Sequence, residues 1–253
     1  MKRFAAALRF LTILPVPEAW CGDAATRSGT PVMFPLVGLL LGVAAGAAAW
    51  GLVRLMPEPV ASVLLVAGLV GASGGMHLDG LSDMADGFFS SRSRQRILEI
   101  MKDSRIGAMG VIAIVLTLAM KIVCFANLPA PTFWRVAALT PIAGRCGMLL
   151  VLSLLPYARP EGGLGKPLAE RRTVLQAGWA VVVLAAAAYG LLQVEGVAIA
   201  GASLAAALLL AAWSFHKIGG ATGDVYGAAC ELTELMPVFT MITWLGLHAR
   251  GAL

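Results

Sequence analysis

Long apolar runs broken by short charged stretches set the pattern of this chain. Pro31 to Val53 holds no charge before Arg54, and Pro59 to Leu78 reaches its end without one. Ile106 to Leu128 is interrupted only by Lys121, and Phe133 to Leu155 only by Arg135 and Arg145. Thr173 to Val194 and Gly196 to His216 are clean, and Leu235 to Ala249 is a shorter last run. At 1.5 Å per residue, roughly 20 residues of helix cover the hydrocarbon core of a bilayer. The runs therefore predict an all-α, polytopic membrane helix bundle of about seven transmembrane helices. Small residues such as Gly42, Ala45, Gly46 and Ala49 crowd them and let helix backbones approach in lipid, so one integral membrane domain over 1–253 is expected. Residues 1–31 precede the bundle as a cytoplasmic or interfacial segment. There Phe4, Leu8, Leu11 and Ile13, beside Lys2, Arg3 and Arg9, predict a short amphipathic helix lying on the membrane.

Composition agrees with the pattern. Hydrophobic residues make up 59 % of the 253 and charged residues 13 %, against about 45–50 % and about 25 % in soluble domains. The net charge is +5. With the N-terminus in the cytoplasm and seven spans threaded, Lys2, Arg3, Arg9, Arg27, Arg92, Arg94, Arg96, Lys102, Arg105, Arg159, Lys166, Arg171, Arg172 and Lys217 fall on the cytoplasmic side. That asymmetry fixes orientation, so the basic excess reads as topology, and no nucleic-acid partner is expected. Lys121 and Arg135 are expected to snorkel from span ends. Cys21, Cys124, Cys146 and Cys230 are scattered without metal or disulfide spacing and read as packing residues.

The chemistry concentrates in a cytoplasmic acidic segment, 77–106. Within GGMHLDGLSDMADGFF (74–89), Asp79, Asp83 and Asp86 are spaced i, i+4, i+7. On a helix they share a sector of about 60°. Carboxylates about 6 Å apart repel by roughly 3 kcal/mol per pair at an effective dielectric of 20, which protonation or a divalent cation relieves. Hard oxygen donors without Cys point to Mg²⁺ or Mn²⁺. In LEIMKDSRIGAMG (98–110), Asp103 could add a ligand and Arg105 a phosphate clamp, next to a helix N-terminus at Gly107. In GGATGDVYGAACELTEL (219–235), the glycine-rich turn at Gly223 and Asp224 could cradle phosphate with backbone N–H groups. Glu231 and Glu234 share a face, either as part of a site or as capping and surface residues. Arg145, costly inside a span, should face the bundle and meet an acid or a substrate phosphate. His77 reads first as a hydrogen-bonded structural residue. A cation transporter with acids lining a path is the alternative class; it requires acids near the midplane.

These blocks, together with FLTILPVP (10–17), FPLVGLLLG (34–42) and EGGLG (161–165), closely resemble the cobalamin synthase family, also called adenosylcobinamide-GDP ribazoletransferase. The resemblance implies a Mg²⁺-dependent enzyme of the bacterial inner membrane, with adenosylcobinamide-GDP and α-ribazole or its 5′-phosphate as substrates. It implies attack of the ribazole hydroxyl on the phosphorus bearing cobinamide, with GMP leaving. On that basis the metal ligands are Asp79, Asp83, Asp86 and Asp103. Arg105, Arg145, Gly223 and Asp224 bind phosphate, and Asp86 and Asp103 are candidates to take the hydroxyl proton. A homo-oligomer, or a complex with other cobalamin-assembly enzymes, is a further expectation.

Overall fold

The computed structural model describes residues 1–23, 28–159, 161–163, 165–170 and 172–250; Arg27, Arg171 and Leu164 of the motifs above lie outside the described residues. The helices are α1 (Lys2–Leu11), α2 (Phe34–Leu55), α3 (Glu58–Ala72), α4 (Met76–Phe88), α5 (Arg94–Ile100), α6 (Ala108–Ala126), α7 (Ala130–Leu154), α8 (Lys166–Ala169), α9 (Val174–Ile218) and α10 (Gly223–Ala249). Proline stands in the first turn of α2, α3 and α7, where its missing N–H is no loss. Among the described residues, the β-structure is an isolated parallel bridge between Tyr157 and Ala221.

By length and apolarity, the helices able to cross a membrane among the described residues are α2 with the 3₁₀ turn before it, α6, α7 and α9. That makes four, or five if α3 and α4, bent by 87°, count as one span. The sequence predicts about seven, and the difference comes from a broken helix counted once and from a helix whose charges lower its apolarity. As a straight rod α9 would run about 67 Å, yet Gln193 takes φ 51° and ψ −122° and breaks it. Its two ends, at Ala177 and Ile218, lie in one apolar cluster, while Ala188, Leu192 and Ile199 lie in another. The element is therefore a hairpin of two membrane-length arms that appeared in sequence as two runs. Helix α10 has 27 residues but carries Asp224, Glu231 and Glu234 in its first half, which lowers its apolarity. Helix α4 turns away from α3 by 87° and runs across one end of the bundle. It packs there against the starts of α6 and α10.

Helix α7 is the axis of the fold. It packs against α2, α9 and α10, and every residue from Val136 to Ser153 is buried. Helix α2 closes on it through Gly38, Gly42 and Gly46, one turn apart. A Cβ at Gly42 would lie 2.5 Å from the Ala138 carbonyl oxygen and 3.0 Å from Ile142. Gly42→Leu should therefore push α2 off α7 and cost about 1–3 kcal/mol. A lowered thermal midpoint in detergent checks this; an unchanged midpoint would mean that α2 is free to shift.

Candidate active site at one end of the bundle

Between His77 and Phe88, every residue of α4 is buried except Asp79, Asp83 and Asp86. The helix spends its apolar surface on the bundle and leaves one acidic stripe open. Glycine brings a fourth carboxylate to it. A Cβ at Gly80 would sit 2.8 Å from the Asp224 carbonyl oxygen, so α4 and the start of α10 touch backbone to backbone. Partial burial, and then the carboxylates of Asp224, Asp79 and Asp86, push Asp83 up to about 7. A half-exposed acid that holds a proton near neutral pH marks a place short of positive charge.

The stripe is anchored at its far end. Gly107 donates its backbone N–H to Asp86 at 2.7 Å, and Gly110 donates at 2.8 Å. These amides open α6, and a carboxylate satisfies them as an anion does at any helix N-terminus. Side chains at either glycine would collide with Asp86. The GAMG motif is thus the seat of an α4 aspartate.

At the Asp79 end lies a cavity of about 170 Å³. Asp79, Asp224 and Arg159 edge it, with Tyr157 and Tyr226 beside them and Phe10, Phe34, Met148 and Leu168 behind. The loop carrying Tyr157 and Arg159 is held by Ala158 N–H donating to Ala221 (2.8 Å) and Ala221 N–H donating to Pro156 (2.8 Å). That pairing sets Arg159 against Asp224 at 2.8 Å. Thr222 caps α10, accepting from the Val225 N–H, and its hydroxyl also reaches Asp224 at 3.1 Å. Arg159 counted only as a flanking charge in the sequence, and Tyr157 and Tyr226 carried no signal beyond lying in or near the glycine-rich motif.

Several expected residues are placed otherwise. Asp103 and Arg105 pair with each other, guanidinium to carboxylate at 2.7 Å, and the arginine is 86 % exposed. The side-chain and backbone donors of Arg105 hold the Asp103 carboxyl down to about 2. The two line a surface cleft with Asp86, Arg96 and Glu99, so they border the acidic stripe without joining it. Arg145 faces the bundle and meets an acid, Glu234, rather than a surface where phosphate could enter. Lys121 does not snorkel: it is buried and donates to Glu231 (2.7 Å) and Glu234 (2.9 Å). Both glutamates are therefore interior residues, not surface ones. His77 is buried beside this network, and its Nε2 has no partner. Gly223 lines the cavity with Asp224.

The donor set suits a hard divalent cation, for among the described residues one arginine, Arg159, forms an ion pair with its four carboxylates and Asp83 has no ion-pair partner. Among the described residues, no three His, Cys, Asp or Glu side chains already converge at metal-binding distance. A bound ion would have to draw Asp79 and Asp83 inward by rotamer change, and Asp86 could join only by releasing an amide of Gly107 or Gly110.

A family model described as cobalamin-5-phosphate synthase matches residues 3–242. Curated relatives named adenosylcobinamide-GDP ribazoletransferase match over nearly their whole length. The one from Acetivibrio thermocellus is 35 % identical, over 92 % of this chain and 94 % of its own. The one from Roseiflexus sp. is 42 % identical, over 93 % and 87 %. The one from Clostridium acetobutylicum is 32 % identical, over 99 % and 98 %. No solved structure matches significantly.

Proposed function

This chain belongs to the cobalamin-5-phosphate synthase family, and we propose that it joins the cobinamide phosphate of adenosylcobinamide-GDP to a ribose hydroxyl of α-ribazole or its 5′-phosphate, releasing GMP. It is a transferase of cobalamin nucleotide-loop assembly. The observation that carries the site assignment is the single open acidic face of an otherwise buried α4, bracketed by Arg159 and the amides of α6. Open acids at a bundle end suit chemistry on a membrane-borne substrate; the interior acids, Glu231 and Glu234, are paired with Lys121 and Arg145 and line no open path of the kind a transporter needs.

In the proposed reaction the ribazole hydroxyl oxygen bonds to the phosphorus bearing cobinamide. The bond from that phosphorus to the GMP oxygen breaks, and the hydroxyl proton passes to a carboxylate. Asp86 spends both oxygens on backbone amides and Asp103 is bound by Arg105. Asp79 and Asp224, which edge the cavity, are better placed to take that proton. Mg²⁺, held by Asp79 and Asp83 and by Asp86 only if it gives up an amide of Gly107 or Gly110, would supply charge neutralisation for the diphosphate. Arg105, exposed at the cleft mouth, can exchange Asp103 for a phosphate oxygen. We place the protein in the bacterial inner membrane, with its N-terminus and this end of the bundle cytoplasmic, as the loop charges favour. Purified protein given adenosylcobinamide-GDP, α-ribazole and Mg²⁺ should release GMP, and EDTA should abolish release. Absence of GMP with both substrates and metal present would refute the reading.

A further inference from the structure

The cavity at the Asp79 end has two unlike walls. One is polar, with Asp79, Asp224 and Arg159; the other is apolar, with Phe34, Met148 and Leu168. Phe10 and Phe34 stack at 6.1 Å with their planes 12° apart, so a flat aromatic wall already stands at the cavity's edge. Among the described residues, the Tyr226 hydroxyl is buried without a hydrogen-bond partner, on a residue only 3 % exposed. A buried hydroxyl without a partner is costly, and Tyr226 belongs to the lining of this cavity, where a ligand could supply the missing partner. The cavity, of about 170 Å³, has room for one bicyclic ring system.

We propose that this cavity is the acceptor subsite. It takes the flat, apolar, bicyclic base of the ribazole, with Tyr226 bonding a ring nitrogen and the attached ribose directed at Asp79 and Asp224. The 5′-phosphate of a phosphorylated acceptor would meet Arg159. The donor diphosphate then lies toward Asp86 and Arg105, some two helical turns along α4. A guanine base suits the cavity poorly, since its many polar edges would face Phe34, Met148 and Leu168. This assignment rests on the ribazole-transfer reading above, which the wild-type assay tests separately.

The test measures KM for each substrate in Tyr226→Phe and Leu168→Trp, together with equilibrium dialysis of α-ribazole alone. Leu168→Trp fills the cavity, whereas Tyr226→Phe removes only the hydroxyl and keeps the packing. Both should raise KM for α-ribazole by about tenfold or more, and leave KM for adenosylcobinamide-GDP within about twofold. Bound α-ribazole in dialysis should fall in parallel. Unchanged acceptor KM in both variants overturns the proposal, as does a rise confined to the donor, which would assign the cavity to guanine. If wild-type protein releases no GMP, the reaction is wrong, and dialysis alone then decides the cavity: equal binding by wild type and Leu168→Trp overturns it.

Discussion

Asp83→Asn is expected to reduce GMP release by at least about 100-fold while leaving the protein folded. Asp83 is the middle member of the open stripe, and burial with the neighbouring carboxylates pushes it up to about 7. Its carboxylate faces Asp224, Asp79 and Asp86 and has no cationic partner at bonding distance. The amide keeps the shape and removes the charge, so the loss would come from the missing anion and not from packing. Asp103→Asn serves as the contrast: its carboxylate is tied to Arg105 at the surface, and its loss should cost less than about tenfold. The same reasoning fixes a pH dependence. A folded-state value near 7 lies above the ordinary aspartate value of 3.8, so the folded protein binds the proton more tightly than the unfolded chain does. Without a cation, stability should therefore fall as pH rises from the ordinary aspartate range to about 7. A cation competing with that proton should stabilise more at pH 8 than at pH 6. Thermal shifts with and without Mg²⁺ at the two pH values measure this, and equal shifts would show that Asp83 holds no cation.

Features encoded by local spacing were legible in the sequence. The stripe of Asp79, Asp83 and Asp86 follows from helical period alone. Arg145 had to face inward because a span tolerates no other direction. The two runs around Glu195 marked the arms of α9, although the break itself sits at Gln193. What spacing does not encode is pairing across the fold. Lys121 and Glu231 are 110 residues apart, and Arg145 and Glu234 are 89 apart. Lys121 alone resembles a span-end charge and the glutamates resemble a capping or surface pair, and only the packing of α6, α7 and α10 makes them partners of each other and of Arg145. Arg159 and Asp224 were hidden for the same reason, since a bridge between Tyr157 and Ala221 brings their loops together. Asp103 shows the reverse error. It lies near the stripe in sequence, but the turn before α6 gives it to Arg105, two residues on.

Glu234→Gln should be the most destabilising conservative change in the bundle, costing about 3–5 kcal/mol. Two cations, Lys121 and Arg145, and two anions, Glu231 and Glu234, are buried together, with side chains no more than 5 % exposed. Glu234 serves both cations, accepting from Lys121 and from Arg145. Its neutralisation leaves two positive groups against Glu231 alone, and an unbalanced charge in lipid has no water to turn to. Removing Arg145 as well restores the balance. Arg145→Met with Glu234→Gln leaves one Lys121–Glu231 pair, and should recover most of the loss, because exchanging a whole buried pair for apolar groups is often neutral. Unfolding of wild type, both singles and the double in one detergent gives the coupling directly. Additive losses would mean that the two side chains do not share a charge. Activity separates fold from chemistry in the same four proteins. The network joins α6, which seats Asp86, to α10, which carries Asp224, so it acts on the stripe by holding those helices in register. If that is its whole role, the double variant regains GMP release along with stability. If Arg145 itself touches the substrate, stability returns and activity does not.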